Sequence, residues 1–104
     1  MTTVTADNNG IVINGHANSG KAGQDLVCSA CSILMYTAIE ALKECATVEM
    51  SDSGYCSIKL NDHSLISRVR LDTILTGYRL LARDYPNNVS VKEETHGNGN
   101  RNKR

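Results

Sequence analysis

The chain has 104 residues, 40% of them hydrophobic, and its eleven basic and eleven acidic side chains cancel. This length provides one modest hydrophobic core and no second one. The charges are interspersed, so we expect no nucleic-acid-binding surface. No run approaches the ~20 apolar residues of a membrane span, and the N-terminus lacks the basic and apolar parts of a secretory signal. We therefore predict a cytoplasmic protein with free cysteines, one domain over residues 1–94 and a disordered polar tail over 95–104.

The first half of the chain predicts a hairpin, a loop and a helix. Residues 2–6 and 11–13 are rich in β-branched side chains and flank the turn sequence DNNG at 7–10. Three glycines predict a loop over residues 15–23. Asp25 is predicted to cap a helix ending near residue 44, because apolar side chains then recur at spacings of three and four. This helix is so apolar that we expect a sheet beneath it and a second helix or a partner subunit beside it.

The second half predicts three strands and another helix. Residues 47–50 and 55–60 flank a turn, and the alternation in 55–60 is typical of a sheet with one solvent-facing side. Asp62 or Ser64 is predicted to cap the second helix, and residues 88–93 are predicted to form an edge strand. The order ββαββαβ predicts an α+β fold: a two-layer sandwich with two helices on a mostly antiparallel sheet.

A histidine and a cysteine flank the predicted loop. Cys28 would lie in the first turn of the helix, where unpaired N–H groups and the helix dipole favour a thiolate. The loop glycines would let His16 approach and accept the thiol proton. The competing interpretation is an inert cysteine packed in the core. Asp25 either orients His16 or only caps the helix, and its spacing favours the cap.

The other cysteines raise two further hypotheses. The spacing Cys28-x-x-Cys31 matches thiol–disulfide exchange motifs, but a hairpin rather than a βαβ unit precedes the helix. We therefore interpret Cys31 as a small core residue. Cys45 and Cys56 are too far apart to form a second ligand pair, so neither a zinc site nor any other metal site is predicted.

The stretch GHANSGKAGQDLVCSACS at residues 15–32 resembles the ribosomal-processing cysteine protease (Prp) family. That family has Gly-His-Ala, a glycine-bearing loop, Gly-x-Asp-[Ile/Leu]-Val-Cys, and a serine four residues after the cysteine. The resemblance continues into LDTILTGYRLLARDYPNNVSV and covers about residues 3–92. The chain supplies Gly15-His16-Ala17, Gly20, Gly23-Gln24-Asp25-Leu26-Val27-Cys28 and Ser32.

The resemblance implies a cysteine endopeptidase without a cofactor, in which Cys28 is the nucleophile and His16 the general base. The implied reaction removes the short N-terminal extension of a large-subunit ribosomal protein precursor. First-turn backbone N–H groups would be candidate oxyanion donors. The resemblance also implies a homodimer and a mobile loop, here residues 17–24, that orders when substrate arrives. The implied substrate-binding or supporting residues are Gly15, Gly20, Gly23, Asp25 and Ser32.

Two alternatives remain open at this stage. One is a thiol–disulfide oxidoreductase that uses Cys28 and Cys31, which replacement of Cys31 by Ser would disable while sparing a protease. The other is a non-catalytic ribosome- or phage-associated binding module that keeps the fold. Selective labelling of Cys28 over Cys45 and Cys56 by an electrophilic peptide would argue against the binding module.

Overall fold

A computed structural model describes residues 1–15, 22–51 and 54–94, including their side chains except those of residues 22–25. The tail predicted over 95–104 lies outside the described residues. Neither helix of the described chain combines the length and apolarity that crossing a membrane requires. The elements follow the predicted order: β1 (Thr2–Asp7), β2 (Gly10–Asn14), α1 (Ala22–Leu42), β3 (Ala46–Ser51), β4 (Tyr55–Leu60), α2 (Leu65–Asp84) and β5 (Val89–Glu93).

The five strands form one sheet in the order β3-β4-β2-β1-β5. The pairs β1–β2, β2–β4 and β3–β4 are antiparallel, whereas β5 joins β1 in parallel. The predicted hairpin, the mostly antiparallel sheet and the edge position of the last strand are all confirmed. Ser64 caps α2, since its side chain accepts the N–H of Ser67 at 3.2 Å, so one of the two predicted caps is confirmed.

One face of the sheet carries the hydrophobic core. Val4, Ile11 and Ile58 lie on neighbouring strands and are almost fully buried, and they share one core cluster with side chains of both helices. Lys59, the next residue after Ile58, is exposed. The alternation in β4 therefore separates a covered face from a solvent-facing one, as predicted. The sequence has no Phe or Trp, and Tyr78 is the largest fully buried side chain.

The two helices make close contact around Gly77 and Tyr78. A Cβ at Gly77 would lie 2.6 Å from Leu34 Cδ2, so the glycine allows α2 to approach α1. The Tyr78 hydroxyl donates a hydrogen bond to the carbonyl oxygen of Cys31 at 3.0 Å. Burial raises the pKa of Tyr78, with smaller contributions from Cys31 and Cys56. The phenol therefore remains a neutral donor that fixes the middle of α1 against α2.

Replacing Tyr78 with Phe is expected to lower the free energy of unfolding by about 1 kcal/mol. The ring keeps its packing, and the Cys31 carbonyl keeps its place in the helical ladder, so only the interhelical hydrogen bond is lost. Urea unfolding should show a lower midpoint with an unchanged slope. An unchanged midpoint would mean that the hydroxyl contributes nothing to stability.

The predicted turn between β1 and β2 is too long. The strands reach Asp7 and resume at Gly10, so the turn consists of Asn8 and Asn9. The Asp7 carboxylate accepts the N–H of Asn9 at 2.8 Å and of Gly10 at 3.1 Å, which closes the turn without a positive φ at Gly10. Glycine is required at position 10 because a Cβ there would collide with the carbonyl oxygen of Ile58.

Helix α1 begins at Ala22, three residues before the predicted cap Asp25, and ends at Leu42. Asp25 is therefore a residue of the first helical turn, and its prediction as the N-cap is wrong. Gly23 does not prevent the helix from starting here. A glycine inside a helix costs about 1 kcal/mol relative to alanine, and Ala22 and Gln24 on either side of Gly23 are among the better helix formers.

The sheet and α2 cover α1 on two sides, but a third side is open. Leu26, Ile33 and Tyr36 are 68%, 62% and 54% exposed, and their spacings of seven and three place them on one helical face. The prediction that a second helix lies beside α1 is confirmed. An apolar surface of α1 nevertheless remains exposed to solvent. We call Leu26, Ile33 and Tyr36 the open face of α1.

Candidate active site

A cavity of about 340 Å³ lies beside the middle of α1. Helix α1 forms one wall, and the start of β1, the end of β2 and the β3–β4 hairpin form the other. Of the predicted site residues, it brings together Gly15, Cys28 and Ser32. The residues lining it are Thr2, Ile13, Gly15, Cys28, Cys31, Ser32, Met35, Tyr36, Met50, Ser51, Gly54 and Tyr55.

Cys28 lies in the second turn of α1, six positions after Ala22, and not in the first turn as predicted. It is half-buried, and it packs against the core while lining the cavity. Only the first four N–H groups of a helix lack helical partners, so the N–H of Cys28 is not a free oxyanion donor. The helix dipole also acts mainly within the first turn. The helix terminus therefore does not activate this thiol in the way the sequence predicted.

Gly15 immediately follows β2 and lines the same cavity. Its φ is +97°, and a Cβ would also collide with the carbonyl oxygen of Met1. Its N–H donates to the carbonyl oxygen of Gly54 at 2.9 Å, which ties the end of β2 to the β3–β4 hairpin. Gly15 immediately precedes His16 in the sequence. The residue that precedes His16 in the sequence is therefore held at a fixed point of the cavity that Cys28 lines.

Replacing Gly15 with Ala is expected to lower both stability and activity. The positive φ alone costs about 1–2 kcal/mol, and the collision with Met1 adds to it. The backbone before His16 must shift, and a displacement of about 1 Å in a catalytic group can cost ~10²-fold in rate. Urea unfolding and kcat/KM per folded molecule measure the two effects separately.

Gly10→Ala is the matched control for this prediction. Its Cβ would also collide with backbone, but Gly10 does not line the cavity. It should lose stability and keep the kcat/KM of the folded fraction. Equal specific activities in the two variants would contradict a role for Gly15 in the site.

Ser32 and Cys31 take different positions beside Cys28. Ser32, one turn further along α1, is exposed at the cavity rim. Cys31 is 7% exposed and belongs to the core, so its prediction as a packing residue is confirmed. Burial raises the pKa of Cys31, a hydrogen bond with the Thr2 side chain opposes this, and the nearby Cys28 charge raises it further.

The structure does not describe the side chains of the remaining predicted site residues. His16 and Gly20 lie outside the described residues. Gly23 and Asp25 belong to the first turn of α1, but their side chains also lie outside the described part. Of the predicted mobile loop, residues 17–21 lie outside the described residues, and 22–24 are helical. The roles predicted for these residues stay predictions.

Sequence reasoning missed the apolar walls of the cavity. Met35 and Tyr36 follow Cys28 by seven and eight positions, so their helical spacing could have indicated a shared face. Met50 and Tyr55 come from the hairpin, and nothing in the sequence connects them to Cys28. Met50 pairs with the buried Cys56 but is 48% exposed, because the cavity opens above it. Among the described residues, no three His, Cys, Asp or Glu side chains converge to hold a metal ion.

Comparison with known proteins agrees with this architecture. The ribosomal processing cysteine protease Prp of Mycoplasma genitalium is 26% identical over 99 residues, covering 92% of this chain and 99% of the relative. The essential ribosomal processing protease Prp from S. aureus, crystallised with a covalently linked product peptide, superposes with a TM-score of 0.80. It is 22% identical, with 90% of this chain and 100% of that one covered. SMU.848 from Streptococcus mutans gives 0.75 at 28% identity, with coverages of 91% and 93%.

The family relationship extends over nearly the whole described chain. The family model for the cysteine protease Prp matches residues 1–90, which include every element up to the start of β5. The resemblance inferred from the histidine and cysteine motifs is therefore confirmed. The chain belongs to the Prp family of ribosomal-processing cysteine proteases.

Proposed function

We propose that this protease removes the N-terminal extension of a large-subunit ribosomal protein precursor, with Cys28 as nucleophile and His16 as general base. One observation carries the assignment of these residues: Cys28 lines a cavity together with Gly15, the neighbour of His16. The S. aureus relative forms a complex with a covalently linked product peptide, which supports a peptide substrate. The M. genitalium relative is a ribosomal processing protease, which supports a substrate of ribosomal origin.

The proposed reaction proceeds through an acyl-enzyme. His16 accepts the proton of the Cys28 thiol, and the sulfur attacks the scissile carbonyl carbon. The tetrahedral intermediate collapses when His16 returns this proton to the leaving amine, and the C–N bond breaks. His16 then deprotonates a water molecule that attacks the thioester carbonyl carbon. The C–S bond breaks, the carboxylic acid product leaves, and the proton on His16 returns to the Cys28 sulfur. Because Cys28 is not in the first turn of α1, activation of the thiol depends on His16 rather than on the helix terminus.

The cavity has the size and lining for a short peptide segment. Its volume of about 340 Å³ is at the lower end of ligand pockets, which suits the residues next to one scissile bond rather than a whole extension. Met35, Tyr36 and Met50 make part of the wall apolar. We expect the enzyme to prefer an apolar side chain next to the bond that it cleaves.

The direct test is cleavage of a ribosomal protein precursor that carries such an extension. Mass spectrometry should find one new N-terminus, at the start of the mature protein. The matched control is the same ribosomal protein without its extension, which should remain intact. No cleavage of the precursor, or scattered cleavage of both forms, would overturn the proposed substrate.

We also propose that the enzyme acts in the cytoplasm as a homodimer. The open face of α1 supports dimerisation, because its three large apolar side chains have no cover in the single chain. In sedimentation equilibrium, Ile33→Lys should weaken the dimer by at least about tenfold. Leu80→Lys on α2 is the control, since Leu80 is exposed but lies outside the open face. A monomeric wild type would contradict the dimer.

Family membership decides between the protease and the two alternatives. A cysteine protease needs a single reactive thiol, whereas an oxidoreductase needs both thiols of a pair to react in turnover.

A further inference from the structure

Cys28 and Cys31 are both free thiols, and both line the same cavity. We propose that Cys31 is a resolving thiol for Cys28. When a peroxide oxidises Cys28, Cys31 condenses with it to a disulfide that switches the protease off reversibly and prevents irreversible oxidation of the nucleophile. The inference rests on the proposed role of Cys28 as the nucleophile, and it adds a modification site to that role.

The spacing of the two residues on α1 brings their thiols within reach of each other. Side chains three positions apart on a helix are neighbours, with Cβ atoms ≈ 5–6 Å apart. A disulfide needs Cβ atoms ≈ 3.5–4.5 Å apart, so closure requires a local adjustment of about 1–2 Å. Cys28 is in the second turn, near the N-terminal end of α1, where helices open at the lowest cost. A disulfide closed with this strain is also readily reduced, as a reversible switch requires.

The other two cysteines of the chain are poor partners for Cys28. Cys45 follows the far end of α1, about 20 Å from Cys28 along the helix axis. Cys56 is fully buried in β4. Neither of them lines the cavity. Among the four thiols, Cys31 is therefore the one placed to intercept oxidised Cys28.

The electrostatics around Cys31 also change in the direction that the reaction needs. Burial and the charge of the Cys28 thiolate both raise the pKa of Cys31, whereas its hydrogen bond with Thr2 lowers it. Conversion of Cys28 into a neutral sulfenic acid removes the negative charge. The pKa of Cys31 then falls at the step in which its sulfur must attack. The buried Thr2 hydroxyl remains beside it throughout.

The two steps balance with hydrogen peroxide as the oxidant. The Cys28 thiolate attacks one peroxide oxygen and the O–O bond breaks. The Cys28 sulfenic acid forms, and the leaving hydroxide takes up a proton to become water. The Cys31 sulfur then attacks the Cys28 sulfur, the S–O bond breaks, and the Cys31 proton leaves with the hydroxide as a second water. A dithiol reductant reverses the outcome by two thiol–disulfide exchanges and restores both thiols.

Peptide mapping after peroxide treatment tests the pairing. Trypsin releases residues 22–43, a peptide that contains Cys28 and Cys31 but neither of the other cysteines. In the oxidised wild type this peptide should be lighter by two hydrogens and resist alkylation until it is reduced. Activity should fall with peroxide and return with dithiothreitol. In Cys31→Ser, Cys28 should instead gain two or three oxygens, and reactivation should drop at least about tenfold.

Cys45→Ser is the matched control and should behave as the wild type, with each protein compared with its own untreated activity. Sulfinic acid on wild-type Cys28, an intermolecular disulfide on a non-reducing gel, or full reactivation of Cys31→Ser would each overturn the inference. Because the cross-link is read by mass, it can be separated from the proposed function. Cross-linking without precursor cleavage would support the pairing and refute the proposed function, whereas cleavage without cross-linking would refute the pairing alone.

Discussion

Replacing Cys28 with Ala is expected to abolish precursor cleavage, lowering kcat/KM by at least about 10⁴-fold. No other described thiol lines the cavity except Cys31, which is buried in the core. The substitution removes one half-buried sulfur, so the free energy of unfolding should change by no more than about 1 kcal/mol. Loss of activity would therefore not reflect loss of the fold. Mass spectrometry of the precursor and urea unfolding measure the two quantities.

Cys45→Ala provides the comparison for this variant. Cys45 is also partly buried and packs against the core, but it lies beyond the far end of α1. It should retain wild-type kcat/KM. The inactive Cys28→Ala protein should still bind the uncleaved precursor, because the walls of the cavity are unchanged. Substantial cleavage by Cys28→Ala would exclude Cys28 as the nucleophile, even though the fold is similar to that of Prp proteases.

The fold could be predicted largely because its signals are local. Alternating side chains in 55–60 indicated which residues of β4 are buried, and Ile58 lies in the core accordingly. Ser64 stands where a helix cap should be, and its side chain makes the predicted bond. The start of α1 could not be predicted in this way. Gly23 is a typical loop residue, yet its helical cost is small enough for a helix that packs on a sheet to absorb.

The sequence predicts the chemistry of the candidate site but not its surroundings. The order of residues predicts that His16 and Cys28 form a pair, but the spacing says nothing about the surface around Cys28. Met50 reaches the cavity through the pairing of β3 with β4, and Gly15 is fixed by contacts with Met1 and Gly54. These contacts join parts of the chain far apart in sequence, so no local pattern reports them. The predicted position of Cys28 in the first turn was wrong because the predicted start of α1 was wrong.

That corrected position changes the activation that we propose for the thiol. With Cys28 in the first turn, the helix dipole and free N–H groups could stabilise a thiolate without help. In the second turn, this contribution fades, and the N–H of Cys28 belongs to the helix. The remaining source of activation in the proposed mechanism is the imidazole of His16. The proposed mechanism therefore predicts a strong dependence of catalysis on this one histidine.

Replacing His16 with Ala is accordingly expected to lower kcat/KM by about 10²–10⁴-fold, the range that one general base contributes. If the loss arises from missing proton transfer, added imidazole should restore part of the activity in a saturable manner. A cavity of about 340 Å³ offers room for it beside Cys28. Gln at this position keeps the polarity and approximate size but cannot act as a base, so His16→Gln should be as inactive as His16→Ala. Imidazole should restore activity to His16→Ala but not to His16→Gln, because only the alanine variant leaves space for it.

His63→Ala is the control for the histidine itself, because His63 is exposed just before the cap of α2 and away from the cavity. It should leave kcat/KM and the response to imidazole unchanged. Activity in His16→Gln near that of the wild type would show that the side chain positions the loop rather than moves a proton. A His16→Ala protein that imidazole cannot rescue, but that still reacts with an electrophilic peptide at the wild-type rate, would contradict activation of Cys28 by His16. The thiol would then have to owe its reactivity to the first turn of α1 after all, through a local rearrangement of that turn when substrate binds.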